Sequence, residues 1–468
     1  MDSARALRRK ADELARTGRY AEASAAYLAE AAIYRHNGDS EGAKVEEAKA
    51  LRWHSSVRLF AELPGYRPLV PRLAKFEPAY GCYIGAFLDR DDRLGSGFVA
   101  DDQLHRDPER FGEITGKKLA SAFCYVAYGR PFPTRWVERL KAQRVAPQIA
   151  WEPNGGLAAV QDDAYLRRFA QDAGDADCPI FLRYASEMNG DWTAYGTNPL
   201  LYRDKWGLVR DVFARYAPNV AMVWCVNNIP ERPIQSFYPG DAYVDWVGVN
   251  LYSVPFYDND PSRPGLFANP ADLVRYVYDL YAARKPIAIC EFGASRVSKV
   301  DLHDRSEWAA RKIREMYASL PRLYPRVKLI DIFDNDNIRY AEDVGRQLNN
   351  YSVTDSEIVR SAYSSAVAPD YFLTTIGERG RATPVVSLEQ GASVSRGILR
   401  VSSWSRCYAD SCSVTYSLDG REVATVHDPG PREVDLHLVK SGTIRLSATV
   451  RDDRGRTAAQ AETKINVS

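Results

Sequence analysis

Residues 179–227 read PIFLRYASEMNGDWTAYGTNPLLYRDKWGLVRDVFARYAPNVAMVWCVN, and the folding of this stretch decides how the rest of the chain is read. It opens and closes on apolar, β-branched and aromatic runs, 179–186 and 219–227, each of strand length. Between them, 200–216 carries the amphipathic pattern of a helix. Two strands joined through a helix lie parallel in one sheet. The near-continuous apolarity of the runs says that both faces of that sheet are covered.

The alternation continues in both directions. Runs at 80–88, 119–128 and 146–152 come before it, and runs at 244–252, 286–293 and 327–334 follow. Further amphipathic stretches of helix length fall at 162–174 and 305–320. Eight strand–helix units over about 250 residues match a (β/α)8 TIM barrel in count and size, placed here at 79–365. A doubly wound sheet is the alternative, but no glycine-rich phosphate loop follows the first strand.

The flanks read differently. Residues 1–65 are expected to form a helical extension, with Leu7, Ala11 and Leu14 and then Ala23, Tyr27 and Ala31 at helical spacing. TGRYAEASAAYLAEAAIYRHNGD (17–39) is similar to a tetratricopeptide hairpin, with Gly18, Tyr20, Ala21 and Tyr27 suitably placed. About one and a half repeats cannot bury their own face, so these helices are read as a scaffold packed on a neighbouring domain. Residues 384–468 hold short alternating strands with turn signals such as Asp419-Gly420 and Pro429-Gly430-Pro431, the pattern of an immunoglobulin-like β-sandwich. Residues 366–383 would link it to the barrel.

Bulk properties exclude several functions. Among 468 residues, 62 basic and 61 acidic side chains leave a net charge of +1, without the basic excess of a nucleic-acid binder. No apolar run is long enough to span a membrane. The N-terminus MDSARALRRKADELARTGRY has no apolar core of a signal peptide, so the chain either stays inside or is a mature form. Five of the seven cysteines sit in apolar runs, while Cys407 and Cys412 are read as either a disulfide or two thiols. The six histidines pair with no cysteine at zinc spacing, and neither a metal nor a cofactor is expected.

In such a barrel the chemistry sits at the C-terminal ends of the strands. Strand four delivers Glu187 there and strand seven Glu291. Strand three adds Trp151 and Glu152, strand five Trp224 and Asn227, and strand six Asn250 and Tyr252. A rim of carboxylates, amides and aromatic rings suits a sugar, whose hydroxyls bind the polar groups and whose C–H face lies on the rings. Glycoside hydrolysis needs two carboxyl groups, one donating a proton to the leaving oxygen and one ionised beside the anomeric carbon.

Here the motifs meet a family. Arg183, Glu187, Met188, Asn189, Gly190 and Trp192, with Tyr195 and Gly196 beyond, resemble the strand-four motif of the retaining glycoside hydrolases of clan A, and most of all family 26, known for β-mannanases. Glu291-Phe292-Gly293 resembles the strand-seven motif, and the likeness covers about 79–350. It implies that Glu187 is the general acid/base and Glu291 the nucleophile. It also implies that Tyr252 bonds the nucleophile, Arg183 keeps it ionised, Trp192 lines the sugar cleft and Asn189 orients the strand-four loop. Trp151, Glu152, Trp224 and Asn227 complete the expected substrate contacts. Two positions depart from the family: Ser186 stands where it has histidine, and Phe333 where an indole often forms the floor. The expected function is cleavage of a β-linked polysaccharide, β-mannanase-like. The alternatives are a non-catalytic carbohydrate-binding scaffold and a transglycosylase. The expected partner is a polysaccharide or oligosaccharide, with no nucleic acid and no membrane span. The flanking domains suit cell-wall or exopolysaccharide association, and a secreted or extracytoplasmic location is favoured over a cytoplasmic one.

Overall fold

A computed structural model of the chain describes residues 2–17, 19–53, 55–66, 73–341, 343–388, 392–407, 411–427 and 433–468. The chain divides into two compact units, one built on residues 70–317 and 325–381, the other on 1–69, 318–324 and 382–468.

The first unit is the barrel. Its strands are β1 (Cys82–Phe87), β2 (Ser121–Ala127), β3 (Ala146–Glu152), β4 (Ile180–Tyr184), β5 (Val220–Asn227), β6 (Trp246–Ser253), β7 (Ile287–Ala294) and β8 (Val327–Phe333). Each pairs in parallel with its neighbour, and β8 closes on β1 through Leu329 to Phe333 against Tyr83 to Phe87. The apolar runs read from the sequence each coincide with one of these strands, β6 and β7 extending one residue past theirs. Helices cover them from outside: Ala164–Asp175 follows β3, Pro199–Tyr216 follows β4 and Pro270–Tyr281 follows β6. Asp163 and Asn198 start the first two by accepting hydrogen bonds from Leu166 and Leu201 N–H, which satisfies donors that a helix start leaves open.

Inside the barrel, Tyr83, Phe181, Val223, Trp246, Ala288 and Leu329 form one buried layer, with Phe76 packed against it. At the other end, Phe87, Phe123, Phe333 and Tyr351 make an aromatic cluster, with the Phe87 and Phe333 rings stacked at 5.0 Å. Gly85 on β1 is required by its neighbour, because a Cβ there would overlap the Asp331 carboxylate. Part of the expected linker belongs to the barrel: Phe372 and Leu373 pair with Cys82 and Tyr83.

The second unit opens with three packed helices, Asp2–Arg16, Tyr20–His36 and Ser40–Arg52, whose shared core includes Ala11, Leu14, Ala23 and Tyr27. The expected helical extension over 1–65 needs a correction after Arg52. Ser56–Glu62 is a strand, paired antiparallel with Gly397–Arg406 and with Val385–Ser387. Its alternation Val57, Leu59, Ala61 buries one face in the sandwich core, and period 2 is the signature of a strand rather than a helix. Two sheets thus form the sandwich, one of four strands that includes 56–62 and one of five. Cys407 and Cys412 are joined in a disulfide. Trp404 is buried, on the face of its strand opposite to the core residues Leu399 and Val401. Gly18, Tyr408 and the Pro429-Gly430-Pro431 turn lie outside the described residues.

Candidate active site

The end of β4 is shaped by backbone strain. After Tyr184 the chain takes φ +49° at Ala185 and φ +59° at Glu187, both left-handed values that a non-glycine residue resists. Neighbouring strands hold the turn in place. Ala185 N–H donates to the Trp151 carbonyl at 3.0 Å, and Glu187 N–H to the Cys225 carbonyl at 2.9 Å. Asn189 staples the following loop to β5: its Nδ2 donates to the Asn227 carbonyl (2.8 Å), and its Oδ1 accepts from the Asn227 N–H (2.9 Å). Asn189 is therefore occupied by backbone, an arrangement that suits the loop-orienting role expected of it and leaves no amide atom for a substrate contact. Gly190 does not take a left-handed φ; a Cβ at this position would collide with the Trp192 indole.

Glu187 emerges at the mouth with both oxygens engaged. Oε1 accepts from Asn227 Nδ2 at 3.0 Å and Asn250 Nδ2 at 2.8 Å, and Oε2 accepts from Trp192 Nε1 at 2.8 Å. Trp192 itself is 48% exposed, as a ring platform needs to be.

Glu291 on β7 is held by three donors. Arg183 Nη2 and the Tyr125 hydroxyl each donate to Oε1 at 2.8 Å, and the Tyr252 hydroxyl donates to Oε2. Burial is the strongest influence on its pKa and raises it; Arg183 pulls the other way, Glu187 pushes up, and the two tyrosines pull down. Arg183 is fully buried, donates also to the Cys290 carbonyl at 3.1 Å, and lies over the Phe123 ring. Asn250 connects the two acids, since its Oδ1 lies 3.5 Å from Arg183 Nη1 while its Nδ2 binds Glu187. Below them, burial pushes the carboxyl of Asp331 up to about 7, against the hydrogen bond from Gln148 and the Arg183 charge.

Of the expected site residues, Glu187, Glu291, Arg183, Trp192, Tyr252 and Asn227 converge at one mouth. Trp151 and Trp224 do not. Both are fully buried: Trp151 stacks on Phe169 at 4.1 Å, and Trp224 meets the edges of Tyr238 and Tyr281. The reason is the alternation of a strand. Glu152 and Cys225 face the barrel interior, so the residue before each faces the helices. Trp151→Ala is expected to cost about 3–5 kcal/mol of stability through the cavity left under Phe169, read as a lower urea midpoint; an unchanged midpoint would show that the ring is not part of the core. Glu152 sits at the end of β3, where its Oε2 accepts from the Ser186 N–H at 3.0 Å.

Tyr125 was not among the residues singled out from the sequence. Its run, 119–128, offers two tyrosines, and only strand parity separates them: Tyr125 shares its face with Phe123, whereas Tyr128 stacks on Trp151 outside. Phe333, in place of an indole, joins the aromatic floor beneath Tyr252.

The closed parallel barrel carries Glu187 just beyond β4 and Glu291 on β7, the placement that the resemblance to the clan A glycoside hydrolases implies. Residues 154–278 match the family model for Glycosyl hydrolase family 26. The chain is similar to a β-1,3-xylanase of an Alcaligenes species, 29% identical over 171 residues, covering 33% of this chain and 35% of that one. It is similar also to the β-1,3-xylanase TXYA of a Vibrio species, 30% identical over 169 residues, covering 32% and 35%. A third relative is Endoglucanase H of Acetivibrio thermocellus, 28% identical over 239 residues, covering 46% of this chain and 25% of the relative. The matches span about a third or less of the length of these curated relatives.

Proposed function

We propose that the chain is a retaining glycoside hydrolase that cleaves a β-linked polysaccharide by double displacement. The observation that carries this reading is the pair of strand-tip carboxylates at one mouth, bound in different ways and joined through Asn250 and Arg183. Glu291 attacks the anomeric carbon while Glu187 protonates the leaving oxygen, and Glu187 then takes the proton of the incoming water. The guanidinium of Arg183 supports an ionised nucleophile, and Tyr252 and Tyr125 aim its oxygens.

Two relatives are named β-1,3-xylanases and one an endoglucanase, so the mannanase-like expectation broadens to β-linked glycans as a class. Ser186, standing in for a bulkier ring, supports a sugar other than mannose beside the scissile bond. The Cys407–Cys412 disulfide supports work in an oxidising, extracytoplasmic compartment. The test is a panel of β-1,3-xylan, β-1,4-xylan, β-glucans and β-mannans, with the anomeric configuration of the first product read by proton NMR. The expected result is release of a β-configured product from at least one glycan. An α-configured first product would replace retention by inversion, and no product from any glycan would overturn the hydrolase reading.

A further inference from the structure

One carboxyl at the mouth is engaged with the loop rather than with either catalytic candidate. Glu152, at the tip of β3, accepts at Oε2 from the Ser186 N–H (3.0 Å) and from the Tyr195 hydroxyl (2.5 Å). The same Tyr195 hydroxyl lies 2.8 Å from the Ser186 carbonyl. The single Tyr195 O–H is thus shared between the Glu152 carboxyl and the carbonyl of Ser186, the residue between the two left-handed positions Ala185 and Glu187. A further tyrosine, Tyr202 on the helix that follows, donates to the Ala185 carbonyl at 3.1 Å. A strained turn persists only when its surroundings over-determine it, and here two tyrosines and one glutamate add to the backbone bonds that Ala185 and Glu187 make to the neighbouring strands.

We infer that Glu152, acting with Tyr195, is a positioning residue that fixes the Ser186 peptide and so sets where the Glu187 carboxyl stands over the leaving oxygen. The inference rests on the glycosidase reading of Glu187 and adds a specific dependence to it. The chemistry of the contact favours an acceptor at this place. The Ser186 N–H and the Tyr195 O–H both donate, so one oxygen with two lone pairs satisfies both, and a carboxylate does so with charge-assisted bonds. Groups around the carboxyl are Tyr195 and Ser186 on the loop, Arg183 on β4, and Tyr184 and Tyr202. Burial pushes the Glu152 pKa up to about 7, with Tyr195, Arg183 and Ser186 only partly offsetting it. Keeping an acid in so costly a place is consistent with a task at that place.

The role differs from direct sugar binding in what it disturbs. A displaced general acid matters only when the leaving group needs a proton. Glu152→Leu and Tyr195→Phe are therefore compared on a polymeric glycan that the wild type cleaves and on the matching 2,4-dinitrophenyl β-glycoside, whose phenolate departs unprotonated. On the polymer, kcat/KM is expected to fall about 10- to 100-fold, the scale of a misplaced catalytic group, with KM within about twofold. On the dinitrophenyl glycoside kcat/KM is expected to stay within about threefold. Equal losses on both substrates, or a loss confined to KM, would overturn the positioning role in favour of substrate contact. No loss on either would overturn it outright. A crystal structure of E152L separates this inference from the reading beneath it. If Glu187 there keeps its bonds from Asn227, Asn250 and Trp192, the inference fails even if no glycan is ever cleaved. If instead the wild type is inactive on every glycan, it is the glycosidase reading that fails.

Discussion

Glu291→Ala is expected to remove turnover almost completely, by ~10⁶-fold, the scale on which other enzymes lose rate with their nucleophile. The argument starts from the three donors around this carboxylate. Arg183, Tyr125 and Tyr252 hold its oxygens in one orientation at the floor of the mouth. Alanine removes the carboxylate that they aim, and no covalent glycosyl-enzyme can form through it. It also opens space for a small anion against a buried guanidinium. Added azide is therefore expected to restore cleavage of a 2,4-dinitrophenyl β-glycoside, because azide can enter that space and attack in place of the carboxylate. The product would be the α-glycosyl azide, since one inversion replaces two. Loss of the acid also strands the Arg183 charge, and breaking a buried pair costs about 3–5 kcal/mol, so circular dichroism and a melting curve must accompany the assay. Wild-type rates in a folded Glu291→Ala protein would end the nucleophile assignment, and a β-glycosyl azide would relocate it.

Glu187→Ala is expected to give the complementary pattern. General acid–base catalysis contributes about 10²–10⁴-fold, and polymeric substrates should lose that much in kcat/KM. A dinitrophenyl glycoside needs no proton to leave, so formation of the glycosyl-enzyme should survive while its hydrolysis slows. KM on that substrate should then fall along with kcat, as the intermediate accumulates. Azide needs no base, so it should rescue this variant as the β-glycosyl azide. The stereochemistry of the two azide products separates the two glutamates without reference to any particular sugar. An α-azide from Glu187→Ala, or equal losses on polymer and dinitrophenyl glycoside, would take the acid/base role away from Glu187. The bonds from Asn227, Asn250 and Trp192 give this second carboxyl a setting of neutral donors, in contrast to the cation beside Glu291. Two carboxyls in unlike settings are what a division into acid and nucleophile requires.

Much of this was legible in the primary structure because it is periodic. A parallel strand covered on both faces must be apolar almost throughout, so the runs around 149, 182, 223 and 289 announce themselves, and helices between them fix the barrel. The tips of β4 and β7 were equally plain, since a glutamate that ends an apolar run has a desolvation cost that asks for a reason. Direction of side chains was less legible. Trp151 and Trp224 look like sugar platforms in one dimension, yet each lies one residue from an inward-facing neighbour and is turned into the helical layer. A run with several aromatics does not say which parity faces the mouth, and the same ambiguity hid Tyr125.

Other features depended on partners far away in the chain. The strand Ser56–Glu62 follows three helices and is too short to reveal that its partners lie at 385–387 and 397–406. Hydrogen bonding between strands is non-local, and nothing within seven residues encodes the address of a partner more than three hundred positions away. The same holds for Glu152 and Tyr195, which close around Ser186 only once β3 and β4 stand side by side. By itself, then, the order of residues determined the architecture of the barrel and the two acids at its strand tips, because both follow from local pattern and from the cost of burying charge. Tertiary structure alone decided which rings face the cleft, which strand completes the sandwich and which carboxyl bonds to the turn before Glu187, because each is a matter of direction and distance between segments remote along the chain.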